Sequence, residues 1–95
     1  MPSCRSSGLL TVNTQVFTGQ CKLISIHVTA DNAAPVLIKV FDGTANTDKE
    51  VARITCPPDQ SVEFDMHGVL MSNGIYYEEI KTGGMGDASS FINFA

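Results

Sequence analysis

Oxygen-bearing side chains recur at every second position of one polar stretch, at Asp42, Thr44, Asn46 and Asp48. This spacing is typical of calcium-binding loops, in which the ligands at positions 1, 3, 5 and 7 surround the ion. Here the glycine stands at the second position instead of the sixth, and no glutamate occupies the twelfth. Because of these departures, the sequence favours a solvated hairpin between two strands and predicts no metal site.

Histidine and cysteine are the other residues whose chemistry needs a specific arrangement. Catalysis requires a base and a nucleophile within hydrogen-bond reach in a pocket. His27 lies in a strand-like run, and we interpret it as a strand histidine bonded to backbone or water. His67 stands at a strand end, and we interpret it as an exposed loop residue. A Cys–His pair stays open at this point, although no local spacing supports one. The sequence therefore predicts no catalytic residues and no enzyme.

The three cysteines, Cys4, Cys21 and Cys56, show no CxxC spacing, which argues against a zinc ribbon. An odd number also argues against a complete disulfide framework. Cys21 and Cys56 lie in apolar runs, where we expect them to be small buried side chains. The glycine-rich stretch at 83–86 precedes a strand and lacks the Lys and Ser or Thr of a phosphate loop, so no cofactor is predicted.

Composition indicates a single domain that associates with other copies. The chain has 95 residues, of which 43% are hydrophobic and 17% charged, against about 25% charged in typical domains. A domain with so few charges often covers apolar surface against a partner subunit, and we expect a homo-oligomer, such as a trimer.

Charge and hydropathy exclude two classes of partner. The net charge is −4, and the six Lys and Arg residues are spread thinly, so no nucleic acid is expected. No apolar run approaches the roughly 20 residues of a membrane span, so no membrane is expected. The first residues lack the apolar core of a secretion signal, which predicts synthesis in a cytoplasm.

Alternation of apolar and polar side chains at a period of two predicts an all-β fold. Residues 1–13 are interpreted as an N-terminal arm or marginal strand, and 14–95 as one β-sandwich domain. The predicted strands cover 14–19, 21–30, 36–41, 50–56, 61–66, 75–82 and 90–95. Turn residues at 31–34, two prolines at 57–58, a connection over 67–74 and a loop at 83–89 separate them. Short gaps favour antiparallel pairing of successive strands.

The same alternation predicts which side chains share a face. The predicted sets are Ile24, Ile26 and Val28; Val36, Ile38 and Val40; Ala52, Ile54 and Cys56; Val62, Phe64 and Met66; and Ile92 with Phe94. About six to eight short strands with turns between them favour a small antiparallel β-sandwich, jelly-roll-like, or a small barrel. Such a sandwich leaves edge strands, which are commonly protected by pairing with another copy.

From residue 19 to 95, the order of motifs resembles a group of small structural proteins of tailed bacteriophages and marine phage metagenomes. The resemblance depends mainly on the passages Asp42-Gly43-Thr44 and 73–76 (Asn-Gly-Ile-Tyr), with the apolar positions of the strands around them. The chain departs from the group at Glu78-Glu79 and in its three cysteines.

This resemblance implies a non-enzymatic virion structural protein that self-associates. Such a protein would decorate or cement a capsid, or form part of a tail or neck, in contact with other phage capsid or tail proteins. It would be made in the host cytoplasm and located in the virion. In this interpretation the loop after Asp42 is structural: Asp42 bonds backbone groups to set the bend, and Gly43 takes a positive φ if the turn requires it.

The alternative function is a carbohydrate-binding or adhesive module. Small β-sandwiches bind sugars on aromatic platforms, and this chain has no tryptophan. Tyr76 and Tyr77 are the remaining candidates, and they would lie on opposite faces of a regular strand.

Overall fold

A computed structural model describes residues 5–30, 34–80 and 88–95. The described residues form strands, turns and irregular segments; they contain no helix, and therefore none that could span a membrane. The eight strands are β1 (Arg5–Ser6), β2 (Thr14–Thr18), β3 (Cys21–Ala30), β4 (Val36–Asp42), β5 (Lys49–Cys56), β6 (Ser61–Met71), β7 (Gly74–Ile80) and β8 (Ala88–Phe94).

The strands form two four-stranded antiparallel sheets. Sheet A has the order β1-β8-β3-β6, and sheet B has the order β2-β7-β4-β5. Eight strands in this order form the double Greek key of a jelly roll. The predicted all-β antiparallel sandwich is thus confirmed.

The pairing expected between successive strands is wrong for all but one pair. Only β4 and β5 are both consecutive and hydrogen-bonded, whereas the other described neighbours in sequence lie in different sheets or do not pair. The chain instead crosses from one sheet to the other between these strands. The apolar face of each strand then packs against the opposite sheet. Each strand thereby buries side chains that a simple hairpin would leave in water.

The core lies between the two inner faces and is built by strict alternation in the central strands. Most of the predicted inward sets are confirmed, including those of β4, the end of β5 and β8. The buried cluster comprises Leu10, Cys21, Leu23, Ile26, Val28, Ala30, Val36, Ile38, Val40, Ile54, Cys56, Met71, Ile75, Tyr77, Ala88, Ile92 and Phe94.

The face predicted for Ile24 is wrong. Leu23 is fully buried while Ile24 is only half-buried, because the register of β3 shifts between Leu23 and Ser25. The pairing advances from Leu23 to Ser25 on β3 but from Val69 to Asp65 on β6. Against β8, the same step on β3 spans only Phe94 to Asn93, so β3 carries one extra residue here. This bulge in β3 reverses its inward and outward sides on either side of it.

Strand β6 is longer than predicted. Residues 67–71, predicted as a connection, continue the strand beyond a bulge at His67 (φ 53°) and Gly68 (φ 77°). Phe64 shares a side with Val62 and Met66 as predicted, but it is 45% exposed because β6 is the edge of sheet A. Bulge chemistry resembles turn chemistry in sequence, which is why the strand was predicted to end early.

Two other segments differ from, or escape, the sequence predictions. Ala88 and Ser89 belong to β8 rather than to the predicted loop. Residues 5–10 complete sheet A, since β1 pairs with β8 and Leu10 exchanges two backbone hydrogen bonds with Ser90. The predictions for Cys4, for the turn at 31–33 and for residues 81–87 lie outside the described residues.

Candidate functional site

The oxygen-bearing side chains at Asp42, Asn46 and Asp48 have separate partners. Asp48 accepts hydrogen bonds from the N–H groups of Thr44 (2.8 Å) and Ala45 (3.2 Å). Asn46 reaches across to β7, where its amide donates to Glu78 Oε2 at 2.7 Å. Among the residues that the structure describes, no three His, Cys, Asp or Glu side chains are placed to hold a metal ion.

Asp42 forms hydrogen bonds with a part of the chain that is distant in sequence. Its carboxylate is 9% exposed and accepts hydrogen bonds from the N–H groups of Ser72 (3.0 Å) and Asn73 (2.8 Å). Burial raises the pKa of Asp42, but N–H donation from Asn73, Ser72 and Gly74, together with the charge of Lys49, outweighs burial and lowers this pKa below its ordinary value. We call Asp42 and residues 72–74 the Asp42 clamp.

The clamp corrects the predicted role of Asp42. The bend of the β4–β5 hairpin is held by Asp48, whereas Asp42 joins the end of β4 in sheet B to the crossover from β6 to β7. The two passages that dominate the motif resemblance, at 42–44 and 73–76, therefore meet at one place. Sequence spacing could not show this, since the bonded groups are 30 and 31 residues apart.

Two glycines have steric roles at the clamp. The turn does not require a positive φ at Gly43, but a Cβ there would overlap the Asp48 carboxylate. Gly74 has a φ of 143°, and a Cβ there would overlap the carbonyl oxygen of Phe17. Glycine is thus required at both positions, at Gly43 for space and at Gly74 for space and backbone conformation.

Both histidines lie on or beside β6 and interact with carboxylates at the surface. His27 Nε2 is 3.4 Å from Glu63 Oε2, and His67 Nδ1 is 3.6 Å from Asp65 Oδ2. Exposed pairs of this kind contribute little to stability. Both described cysteines, by contrast, are buried.

The described cysteines behave as core side chains, as predicted. Cys56 Sγ donates to the Gln60 carbonyl oxygen at 3.1 Å. Burial raises the pKa of Cys21, and the negative charge of Asp42 raises it further. A protonated, buried thiol is a poor nucleophile.

The two tyrosines lie on opposite faces of β7, as predicted, but only Tyr76 reaches the surface. Tyr77 is fully buried, its hydroxyl lies 2.9 Å from Ser90 Oγ, and burial raises its pKa to about 12. This contact joins β7 of sheet B to β8 of sheet A. Tyr76 is half-buried, with its ring centroid 6.3 Å from that of Phe41. Tyr77 is therefore unable to form a sugar platform.

The edges of both sheets are interrupted. β1 has two residues, and the pairings of β2, β5 and β6 each contain a register shift. Bulged or short edges twist away from a flat partner, which is how proteins avoid strand-to-strand association. The described edges are therefore poorly suited to the edge pairing that the sequence led us to expect.

Exposed apolar side chains are concentrated on sheet A. Phe64, Val69 and Leu70 lie along β6, and Leu70 is 55% exposed. We call these three residues the β6 flank. Sequence reasoning missed the flank because Val69 and Leu70 fall in the stretch predicted as a connection. The signal in the sequence was the pair of adjacent apolar residues, Val69 and Leu70, which is more typical of a strand than of a connection.

The outer face of sheet B has the opposite character. Arg53 donates to both oxygens of Glu50, at 3.0 and 3.1 Å, and Lys39 Nζ lies 3.9 Å from the same carboxylate. Hydrogen bonding with Arg53 lowers the pKa of Glu50. Among the described residues, no exposed large hydrophobic side chain lies on this sheet. The exposed large apolar side chains of the described strands therefore lie on sheet A, with the β6 flank along its edge, and not on the outer face of sheet B.

No pocket is present in the described part of the chain, so the candidate site is a surface. Comparison with protein families, with curated proteins and with solved structures found no match for this chain.

Proposed function

We propose that this chain is a non-enzymatic virion structural protein of a tailed phage, which self-associates and decorates or cements a capsid or forms part of a tail or neck. The β6 flank is the single observation that carries the proposal, because it gives a jelly roll without a described pocket a group of exposed apolar side chains along one sheet edge. Jelly rolls occur in viral capsid proteins and also in lectins and cupins, so the fold alone does not choose between them. The motif resemblance favours the virion.

The size of the flank implies weak individual contacts. Fully burying a large apolar side chain contributes about 1.5–3 kcal/mol. Phe64, Val69 and Leu70 are already partly buried, so together they offer roughly 2–4 kcal/mol. Micromolar affinity needs about 8 kcal/mol. Stable assembly through the flank therefore requires repeated copies on an array, where many weak contacts add.

Sedimentation and light scattering over a wide concentration range test the self-association. We expect the average mass to rise with concentration for the unmodified chain and to fall towards the monomer in Leu70→Ser. The matched control is Leu9→Ser, which removes an equally exposed leucine from the β1–β2 segment. A monomer at the highest concentration, or equal effects of the two variants, would contradict the role of the flank. Binding to purified capsids and tails, lost in Leu70→Ser, tests the virion role separately.

A carbohydrate-binding module is the second candidate, because the outer face of sheet A combines an aromatic ring with polar groups. Phe91 is 43% exposed and is paired in register with His27. Asn93 donates to Ser25 at 2.9 Å on the same face. Glycan-array binding that is lost in Phe91→Ala and kept in Leu9→Ala would favour this module over the virion role.

A further inference from the structure

Asn73 and Gly74 form a sequence with its own covalent chemistry. In an unrestrained peptide, the backbone nitrogen of a glycine attacks the side-chain Cγ of the preceding asparagine. The new N–C bond closes a succinimide ring, and the side-chain nitrogen leaves as ammonia. Water then adds to either ring carbonyl and opens the ring to aspartate or isoaspartate. Glycine favours the reaction because no side chain hinders the approach.

The structure exposes the Asn73 side chain but restrains its backbone on both sides. The N–H groups of Ser72 and Asn73 donate to the two carboxylate oxygens of Asp42 at 3.0 and 2.8 Å. The N–H of Gly74, the next residue, helps to lower the pKa of this carboxylate. On the other side, the Asn73 carbonyl oxygen accepts a hydrogen bond from Gly19 N–H at 3.0 Å.

Gly74 is also enclosed. It pairs with Thr18 of β2, and it lies so close to the Phe17 carbonyl that no Cβ would fit. Ring closure requires the Gly74 nitrogen to lose its proton and swing towards Cγ of Asn73. The Asp42 carboxylate opposes loss of the proton, since its negative charge disfavours a deprotonated nitrogen beside it. The hydrogen bonds of the Asn73 N–H and carbonyl groups oppose the swing.

We infer that Asn73 is a latent deamidation site, and that the Asp42 clamp keeps it as asparagine by holding the Gly74 nitrogen away from the Asn73 side chain. Deamidation would place a second carboxylate beside Asp42. Isoaspartate would also insert an extra backbone atom into the crossover between β6 and β7. Once Asn73 has reacted, the original hydrogen bonds between Asp42 and residues 72–74 are therefore unable to re-form unchanged.

Peptide mapping by mass spectrometry in mildly alkaline buffer tests the inference. The samples are the unmodified chain, Asp42→Ala, the control Asp48→Ala, and a synthetic peptide of residues 69–78. Asp42→Asn is unsuitable, because it would create a second Asn–Gly pair with Gly43. We expect Asn73 to convert more slowly in the unmodified chain and in Asp48→Ala than in the peptide. In Asp42→Ala it should convert about tenfold faster or more, equivalent to about 1.4 kcal/mol of lost restraint.

Two measurements separate the clamp from general unfolding. Tyr77→Phe weakens the core but leaves the clamp, so Asn73 should stay protected in it. In the unmodified chain, the Asn73 and Gly74 amide protons should exchange slowly with solvent. Conversion of Asn73 at the peptide rate in the unmodified chain, equal rates in Asp42→Ala and Asp48→Ala, or unprotected amide exchange at Gly74 would each overturn the inference.

Discussion

Replacing Asp42 with alanine removes the contact that joins β4 to the crossover between β6 and β7. The carboxylate receives hydrogen bonds at 3.0 Å from Ser72 and 2.8 Å from Asn73. Hydrogen bonds to a charged group contribute about 1.5–3 kcal/mol each. Because Ser72 and Asn73 are exposed, water takes over part of the lost bonding, and we expect the low end of the sum, about 3 kcal/mol.

Asp48→Ala is the matched control. The Asp48 carboxylate also accepts two backbone hydrogen bonds, from Thr44 and Ala45, but within one exposed hairpin. Water replaces such local bonds at little cost, so we expect a loss of about 1 kcal/mol or less. Urea unfolding followed by circular dichroism gives both free energies of unfolding, provided that the slope with denaturant is unchanged.

The pH dependence supplies a second test of the same contact. The pKa of Asp42 is lowered in the folded chain, so its contribution is present above its unfolded pKa, about 3.9, and is lost as pH falls through the folded pKa. The difference in unfolding free energy between the unmodified chain and Asp42→Ala should be constant near neutral pH and shrink in acid. A loss in Asp42→Ala no larger than that in Asp48→Ala would refute the clamp.

Three further predictions concern the core and the second clamp glycine. Tyr77→Phe and Ser90→Ala should each cost about 1–3 kcal/mol, because each leaves a buried hydroxyl without its partner, and the double variant should cost less than their sum in the same urea assay. The raised pKa of Tyr77, about 12, predicts that its contribution is complete below pH about 10 and is lost as pH rises through the folded pKa; an alkaline titration should show a flatter stability profile in Tyr77→Phe. Gly74→Ala should cost more than about 2 kcal/mol in thermal or urea unfolding, since the methyl group meets a backbone carbonyl and the φ of 143° strains alanine; a smaller loss would mean that the strand start can relax.

Where a strand is regular, its inward face could be predicted from the sequence. Val36, Ile38 and Val40 alternate without interruption, and all three are fully buried. This success has a local cause, since the pleat sends successive side chains to opposite faces. The prediction for Ile24 failed because a bulge depends on the partner strand, which local alternation does not identify.

The contacts of the candidate site residues also depend on segments that are distant in the sequence. The sequence predicted a solvated hairpin without a metal site over 42–48, but it did not show that Asp42 bonds to a crossover while Asp48 bonds within the hairpin. The burial of Tyr77 and the exposure of the β6 flank were equally hidden, because burial depends on which sheet covers each face. Adjacent tyrosines were correctly placed on opposite faces, yet only the opposite sheet determines that one of them is core.

The sequence by itself determined that the chain forms an all-β sandwich and which side chains of each regular strand face the same way, because alternation is a property of neighbouring residues. The tertiary structure decided the order of the strands, the bulged edges, the apolar flank on sheet A and the contact of Asp42 with the crossover 30 residues away. These features depend on contacts between segments that are distant in the sequence. Such contacts form only when the two sheets pack against each other around one core.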